Sequence, residues 1–224
     1  MSQHADCKYA LCVNEELSTL VRRVESLNLV SGMLWPDPLP GNTKDFPVSR
    51  YEWLVVATDV FLMRYISIVD CALILTNEIF ECGLDRSKCS IAKLKQCRIP
   101  REIISVLDEL QADQGSLRIE RNARFHHGTE RGFTSDDQTF RLATGVERWS
   151  AGMKGNDRYG QRINVERSFK EGLVELQRDF NRTTRKMVWQ LDRLYDSLSP
   201  EFEARFVPKF RSGKFEKNHA IGER

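Results

Sequence analysis

From Ser49 to Cys82 the chain runs 34 residues without a glycine or a proline, and no other feature restricts its fold so strongly. Strands seldom exceed ten residues. A run of this length therefore predicts one long helix, mostly buried, despite its local Val, Ile and Phe content. The same stretch is the most hydrophobic in the chain, yet Asp59, Arg64, Asp70 and Glu78 interrupt it. Its longest uncharged segment, Cys71 to Asn77, falls far short of the ~20 residues of a membrane span. No membrane association is expected.

Helical spacing recurs on both sides. Ala10, Val13, Leu17, Leu20, Val24 and Leu27 mark an N-terminal helix over about 10–31, with Asn14 as an N-cap candidate. Gly32 and prolines 36, 38, 40 and 47 then form a stiff connector. A short helix is expected over Lys88 to Cys97, and Pro100 suits the first turn of the next. That helix carries Ile103, Leu107, Leu110, Gln114 and Leu117, a series whose next member is Arg121, with Gly115 as a break or kink.

Six of the thirteen glycines lie between Gly128 and Gly160, which reads as a long surface loop with room for a short helix near Phe140 to Trp149. Phe169, Leu173, Leu176, Phe180, Met187, Leu191, Leu194 and Leu198 mark a long closing helix that should stop before Pro200. The expected fold is all-α: a bundle of four to five main helices with a long Gly-rich loop before the last long helix. One domain is expected over 1–212, its core at about 50–198, followed by a flexible basic tail, 213–224. From Arg205 onward six basic and two acidic residues interleave with Phe206, Phe210 and Phe215, an arm suited to RNA or a partner.

A formal charge of +2 excludes a histone-like polyanion binder, so any anion site must be local. Cysteines 7, 12, 71, 82, 89 and 97 show no CxxC spacing, and no apolar leader segment precedes them. They read as reduced thiols in a cytoplasmic protein, chiefly small hydrophobes, with a redox or metal role as the lesser reading.

One segment concentrates chemistry. Arg118-Ile-Glu-Arg121-Asn122-Ala-Arg124-Phe-His126-His127-Gly128 places three arginines, an asparagine and two of the four histidines in eleven residues. Guanidinium forks match phosphate oxygens, and imidazole titrates near neutrality. RNA cleavage needs a base for the 2′-OH proton, an acid for the leaving 5′-oxygen and a cation for the phosphorane charge. No metal ligand spacing is present, and no cofactor is expected.

The arrangement R-N-x-x-x-H at the end of a helix resembles the R-x4-6-H motif of the HEPN superfamily (higher eukaryotes and prokaryotes nucleotide-binding). The resemblance covers the helical order from about residue 50 to 198 and, residue by residue, only 121 to 126. With 23 arginines and four histidines, an R-x4-H that also requires Asn after Arg is expected by chance only about 0.02 times in this chain. The family's all-α domains include many metal-independent endoribonucleases of toxin–antitoxin, abortive-infection and CRISPR defence systems. The resemblance implies catalytic roles for Arg121, Asn122 and His126. His127 fits the looser R-x5-H spacing, so the two histidines stand as alternatives.

Positions 121 and 126 differ by 140° around a helix and by about 7.5 Å along it, so they do not converge on one phosphate. Asn122 and His126, four apart, share a face. Two copies across a two-fold axis assemble the set most simply, with the apolar face around Leu117 and Phe125 at the interface. The family's clefts at dimer interfaces imply the same. A homodimer is therefore expected, with an antitoxin or defence-system protein as a further partner. Arg118 and Arg124 are expected phosphate contacts. Arg178, Arg182 and Arg185 form a basic stripe that would track an RNA backbone, although Glu171, Glu175 and Asp179 would balance it as a solvated face.

Other readings compete. Arg121, on the apolar stripe, would pair with a core carboxylate such as Asp59 or Asp70. His126-His127-Gly128 would be a helix C-terminus, with cations on the dipole and glycine in the left-handed cap. The function expected first is a metal-independent endoribonuclease cleaving RNA by 2′-OH attack, in a toxin or anti-phage role. The alternative is a non-catalytic helical interaction or scaffold protein of the same fold.

Overall fold

The computed structural model describes residues 5–39, 45–150 and 152–212, with side chains to residue 208. The chain is all-α. Helix α1 spans Ala5–Leu34 and α2 spans Arg50–Ile79. A 3-10 turn at Arg86–Lys88 and the one-turn α3 (Ile91–Leu94) lead to α4 (Arg101–Asp113). Then come α5 (Gly115–His127), α6 (Asp137–Trp149) and α7 (Val165–Ser212). Among the described residues there is no strand, only an isolated bridge between Asn156 and Arg162. No helix there is long and apolar enough to cross a membrane. The expected tail, 213–224, lies outside the described residues.

α2 matches its glycine- and proline-free run. Its β-branched polar residues satisfy themselves by bonding one turn back: Thr58 Oγ1 donates to the Leu54 carbonyl at 2.8 Å and Thr76 Oγ1 to Ala72 at 2.9 Å. That lets both sit in the core without orphaned hydroxyls.

The contacts divide the chain into two compact units. One, the terminal unit, comprises Met1–Glu25, Ile66–Gly115 and Arg185–Arg224; the other, the motif unit, comprises Ser26–Tyr65 and Ser116–Thr184. In the terminal unit, Val13, Leu20, Ile66, Leu94, Leu107 and Leu194 are core residues. In the motif unit, aromatic rings share the core with Leu34, Leu54 and Leu62. Phe46 meets Phe169 edge to face at 5.4 Å, and Tyr51 meets Phe133 and Phe140 at 6.0 and 5.7 Å. At Gly172 a Cβ would stand 2.6 Å from Leu54 Cδ1, so a larger residue there would displace the buried Leu54 side chain where α7 packs on α2.

Several sequence expectations change. The closing helix does not stop before Pro200; it runs to Ser212 through Pro200 and Pro208. Each proline removes a backbone donor, a cost of about 3 kcal/mol inside a helix. Packing offsets it: Phe202 and Phe206 stack near the Tyr9 ring, at 5.8 Å each. Arg205 lies over that ring at 3.9 Å and pairs with buried Asp6 and with Glu81. α1 already runs from Ala5, so Asn14 sits inside the helix rather than capping it.

The helix expected over Lys88–Cys97 shrinks to Ile91–Leu94. Pro100 precedes α4 as its cap residue rather than occupying the first turn. The Gly-rich segment holds the whole of α6, started by Asp136, whose carboxylate accepts from Thr139 N at 3.2 Å.

Candidate active site

The sequence series Gln114, Leu117 and Arg121 crosses the break near Gly115 between α4 and α5. Gln114 and Leu117 are buried and Arg121 is half-buried. The next position on that face, Arg124, faces inward with a side chain only 5% exposed. Its Nε and Nη2 meet Asp59 Oδ1 on α2 at 2.7 and 2.6 Å. Asp59 is thus the carboxylate that takes an arginine from this helix, and the arginine is Arg124 rather than Arg121. Arg124, expected as a phosphate contact, is committed to the interior.

A second clamp holds the neighbouring edge of α5. Arg131 donates from Nε and Nη2 to the two Glu120 oxygens, both at 2.9 Å, while its Nη1 lies 3.1 Å from Asp179 on α7. Burial disfavours the Arg131 charge, but the hydrogen bonds and charges of Glu120 and Asp179 outweigh it and raise its pKa above the usual range. α5 ends at His127, and Gly128 follows it with a left-handed φ of 65°; its N–H reaches Arg124 O and Thr129 N–H reaches Ala123 O, each at 3.2 Å. Beyond it, Tyr51 donates to Glu130 at 2.9 Å. Burial first, then that carboxylate, push the Tyr51 phenol up to about 12.

With its inner face fixed, α5 presents a defined outer one. Asn122, His126 and His127 are exposed, and with Arg121 they have no ion pair or side-chain hydrogen bond to another described residue. Ile119, 71% exposed, and Phe125, 47% exposed, flank them. Leu117, expected at an interface beside Phe125, is instead buried in the motif unit; Ile119 takes its place on the outer face. Arg118 is half-buried.

The α7 stripe falls differently. Arg178 and Arg182 belong to the motif unit and Arg185 to the terminal unit. Arg178 and Arg182 line an open groove of about 630 Å³ with Glu171, Glu175 and Asp179 interleaved, and Arg182 pairs with Asp179 at 3.0 Å. A polar cavity of about 370 Å³, lined by Asp136, Thr139, Arg162, Asn164 and Arg167 among others, contains none of the motif residues.

No group of three or more His, Cys, Asp or Glu among the described residues is placed to hold a metal ion. The two clamps escaped sequence reasoning because no local spacing links Asp59 to Arg124, or Arg131 to Asp179. No family model, curated protein or solved structure matches the chain.

Proposed function

We propose that this chain is a metal-independent endoribonuclease of HEPN type, acting in a toxin or anti-phage role. One observation carries the reading. On a helix otherwise held by two ion-pair clamps, Arg121, Asn122 and His126, with His127 as the alternative histidine, combine a phosphate donor, a positioning amide and a titratable group without internal partners.

In the reaction, one imidazole takes the 2′-OH proton. The 2′-oxygen attacks phosphorus, and the 5′-oxygen leaves with a proton from an acid. Arg121 stabilises the charge on the phosphorane, and Asn122 orients the phosphate or the histidine. Because Arg121 and His126 diverge on one helix, a second copy supplies the complementary half, with Ile119 and Phe125 at the contact. The dimer has a mass of about 52 kDa, twice the 26.0 kDa chain.

The test is cleavage of labelled RNA in EDTA, wild type against His126→Ala, beside the solution mass at micromolar concentration. Cleavage that requires a divalent metal, or that survives the substitution in a variant also lacking His127, removes the mechanism. A fully active 26.0 kDa monomer removes the composite site. The exposed Ile119 and Phe125 also favour a second reading, a non-catalytic module that docks a protein on this face, and absence of cleavage with an intact dimer would select it.

A further inference from the structure

Three apolar helix stripes meet in the terminal unit without filling the space between them. Leu17 and Leu20 on α1, Leu75 on α2, and Leu194, Leu198 and Phe202 on α7 line a pocket of about 280 Å³. Protein interiors leave few voids larger than a water molecule, and an apolar cavity of about 150 Å³ is enough to hold benzene. Leu20, Leu75, Leu194 and Leu198 are buried, so these walls belong to the core. Tyr195 at the edge is 58% exposed, so the pocket opens to solvent. The Tyr9 hydroxyl donates to Ile79 O at 2.9 Å, and its ring stacks on Phe202. Both partners line the pocket, so this brace holds α1, α2 and α7 in place around it.

The polar lining is selective. No basic residue contributes to it; besides the Tyr195 hydroxyl, its polar side chains are Asn14, Ser199 and Glu203. Ser199 Oγ donates to Glu203 Oε1 at 3.3 Å, which steadies the carboxylate and leaves Oε2 to accept from a ligand. Glu203 has no ion pair with another described residue. The arginines before and after it on α7 are occupied, Arg193 by Glu109 at 2.7 Å and Arg205 by Asp6 and Glu81.

We propose that this pocket binds a hydrophobic primary amine, its alkyl or aromatic body between α1, α2 and α7 and its ammonium group on Glu203 and Asn14. A fatty acid would bring a second carboxylate to Glu203 with no cation to receive it. An alcohol would lose the charge-assisted hydrogen bond. From Leu191 to Glu203 the lining follows about 18 Å of helix, room enough for an eight-carbon chain. The pocket lies in the terminal unit and α5 in the motif unit, so this binding stands apart from the ribonuclease reading.

The experiment titrates the full chain calorimetrically at pH 7 with n-octylamine, n-octanol and octanoate, each below its micelle concentration. The expected result is one octylamine bound per chain, with octanol and octanoate each at least about tenfold weaker. Shortening the ligand to n-butylamine should weaken binding at least about 50-fold, because four buried CH₂ groups are lost. Glu203→Gln, an exposed change, should bring octylamine and octanol within about threefold of each other. Leu17→Trp fills the pocket and should abolish binding while helical content by circular dichroism stays at the wild-type level. If Leu17→Trp does not fold, Glu203→Gln decides alone. No saturable binding of octylamine, equal affinity for octanoate or butylamine, or a preference for the amine that survives Glu203→Gln overturns the proposal. Binding that survives in folded Leu17→Trp also overturns it.

Discussion

Helices α5 and α7 each carry three arginines at helical spacing, and the structure uses them in opposite ways. On α5 the charges are sorted by face. Arg124 is spent on Asp59 and Glu120 on Arg131, leaving Arg121 with Asn122 and His126 clear of internal partners. On α7 the charges alternate along one face, so Arg182 is answered by Asp179 within a turn and Glu171 and Glu175 stand nearby. Basic content alone does not distinguish the two helices. What separates them is which cations already have a carboxylate, since an ion pair weakens the pull of either member on a phosphate.

The comparison is broken most severely at the motif. Under the proposed ribonuclease function, single-turnover RNA cleavage should fall about 10² to 10⁴-fold in His126→Ala, the usual contribution of a general acid or base. It should fall about 10² to 10³-fold in Arg121→Lys, which keeps the charge but loses the fork. Because Arg121 has no internal partner, its thermal midpoint should stay within about 2 °C of wild type. A drop of many degrees in both Arg121→Lys and Arg121→Ala would make Arg121 a core residue and the motif an accident of spacing.

Arg124 should behave in reverse. Arg124→Ala leaves Asp59, 34% exposed, facing an emptied interior site. The loss should be about 3 kcal/mol, the low end for a broken buried pair because Asp59 is partly solvated. For a chain of this size that lowers the midpoint by roughly 6–12 °C, measurable by calorimetry. If Arg124→Ala instead weakened RNA binding and left the midpoint unchanged, the sorting of faces on α5 would be wrong.

A smaller effect concerns the segment after α5. The Tyr51 phenol titrates near 10 when unfolded and at about 12 when folded, so the folded state holds that proton more tightly. The corresponding stability is fully present below pH 10 and is lost as pH rises through 12. Denaturant unfolding across this window should show a shallower alkaline decline in Tyr51→Phe than in wild type. Equal slopes would mean that burial and the Glu130 contact do not hold the proton.

The smallest effect belongs to α7. Arg182→Ala should change stability by less than about 0.5 kcal/mol, as an exposed pair does. If the groove tracks RNA, the variant should also flatten the salt dependence of binding by roughly one ion while single-turnover chemistry stays intact. An unchanged salt slope would leave α7 as a solvated, self-balanced face.

The sequence by itself determined the helical class and the placement of its main segments. Periodicity and the position of glycine and proline act through local backbone sterics, which is why α2 and the outward pairing of Asn122 with His126 were readable from spacing alone. Arg121 and Arg124 show where that reading stops. Three residues apart, they lie on neighbouring lines of one helix, and nothing local says which reaches a carboxylate 65 positions earlier. Pro200 and Pro208 show the same limit. Intrinsic propensity ends a helix there, and only the packing of Phe202, Arg205 and Phe206 against Tyr9 carries it on. The tertiary structure alone decided these matters, because each depends on contacts between distant segments whose free energy outweighs local preference.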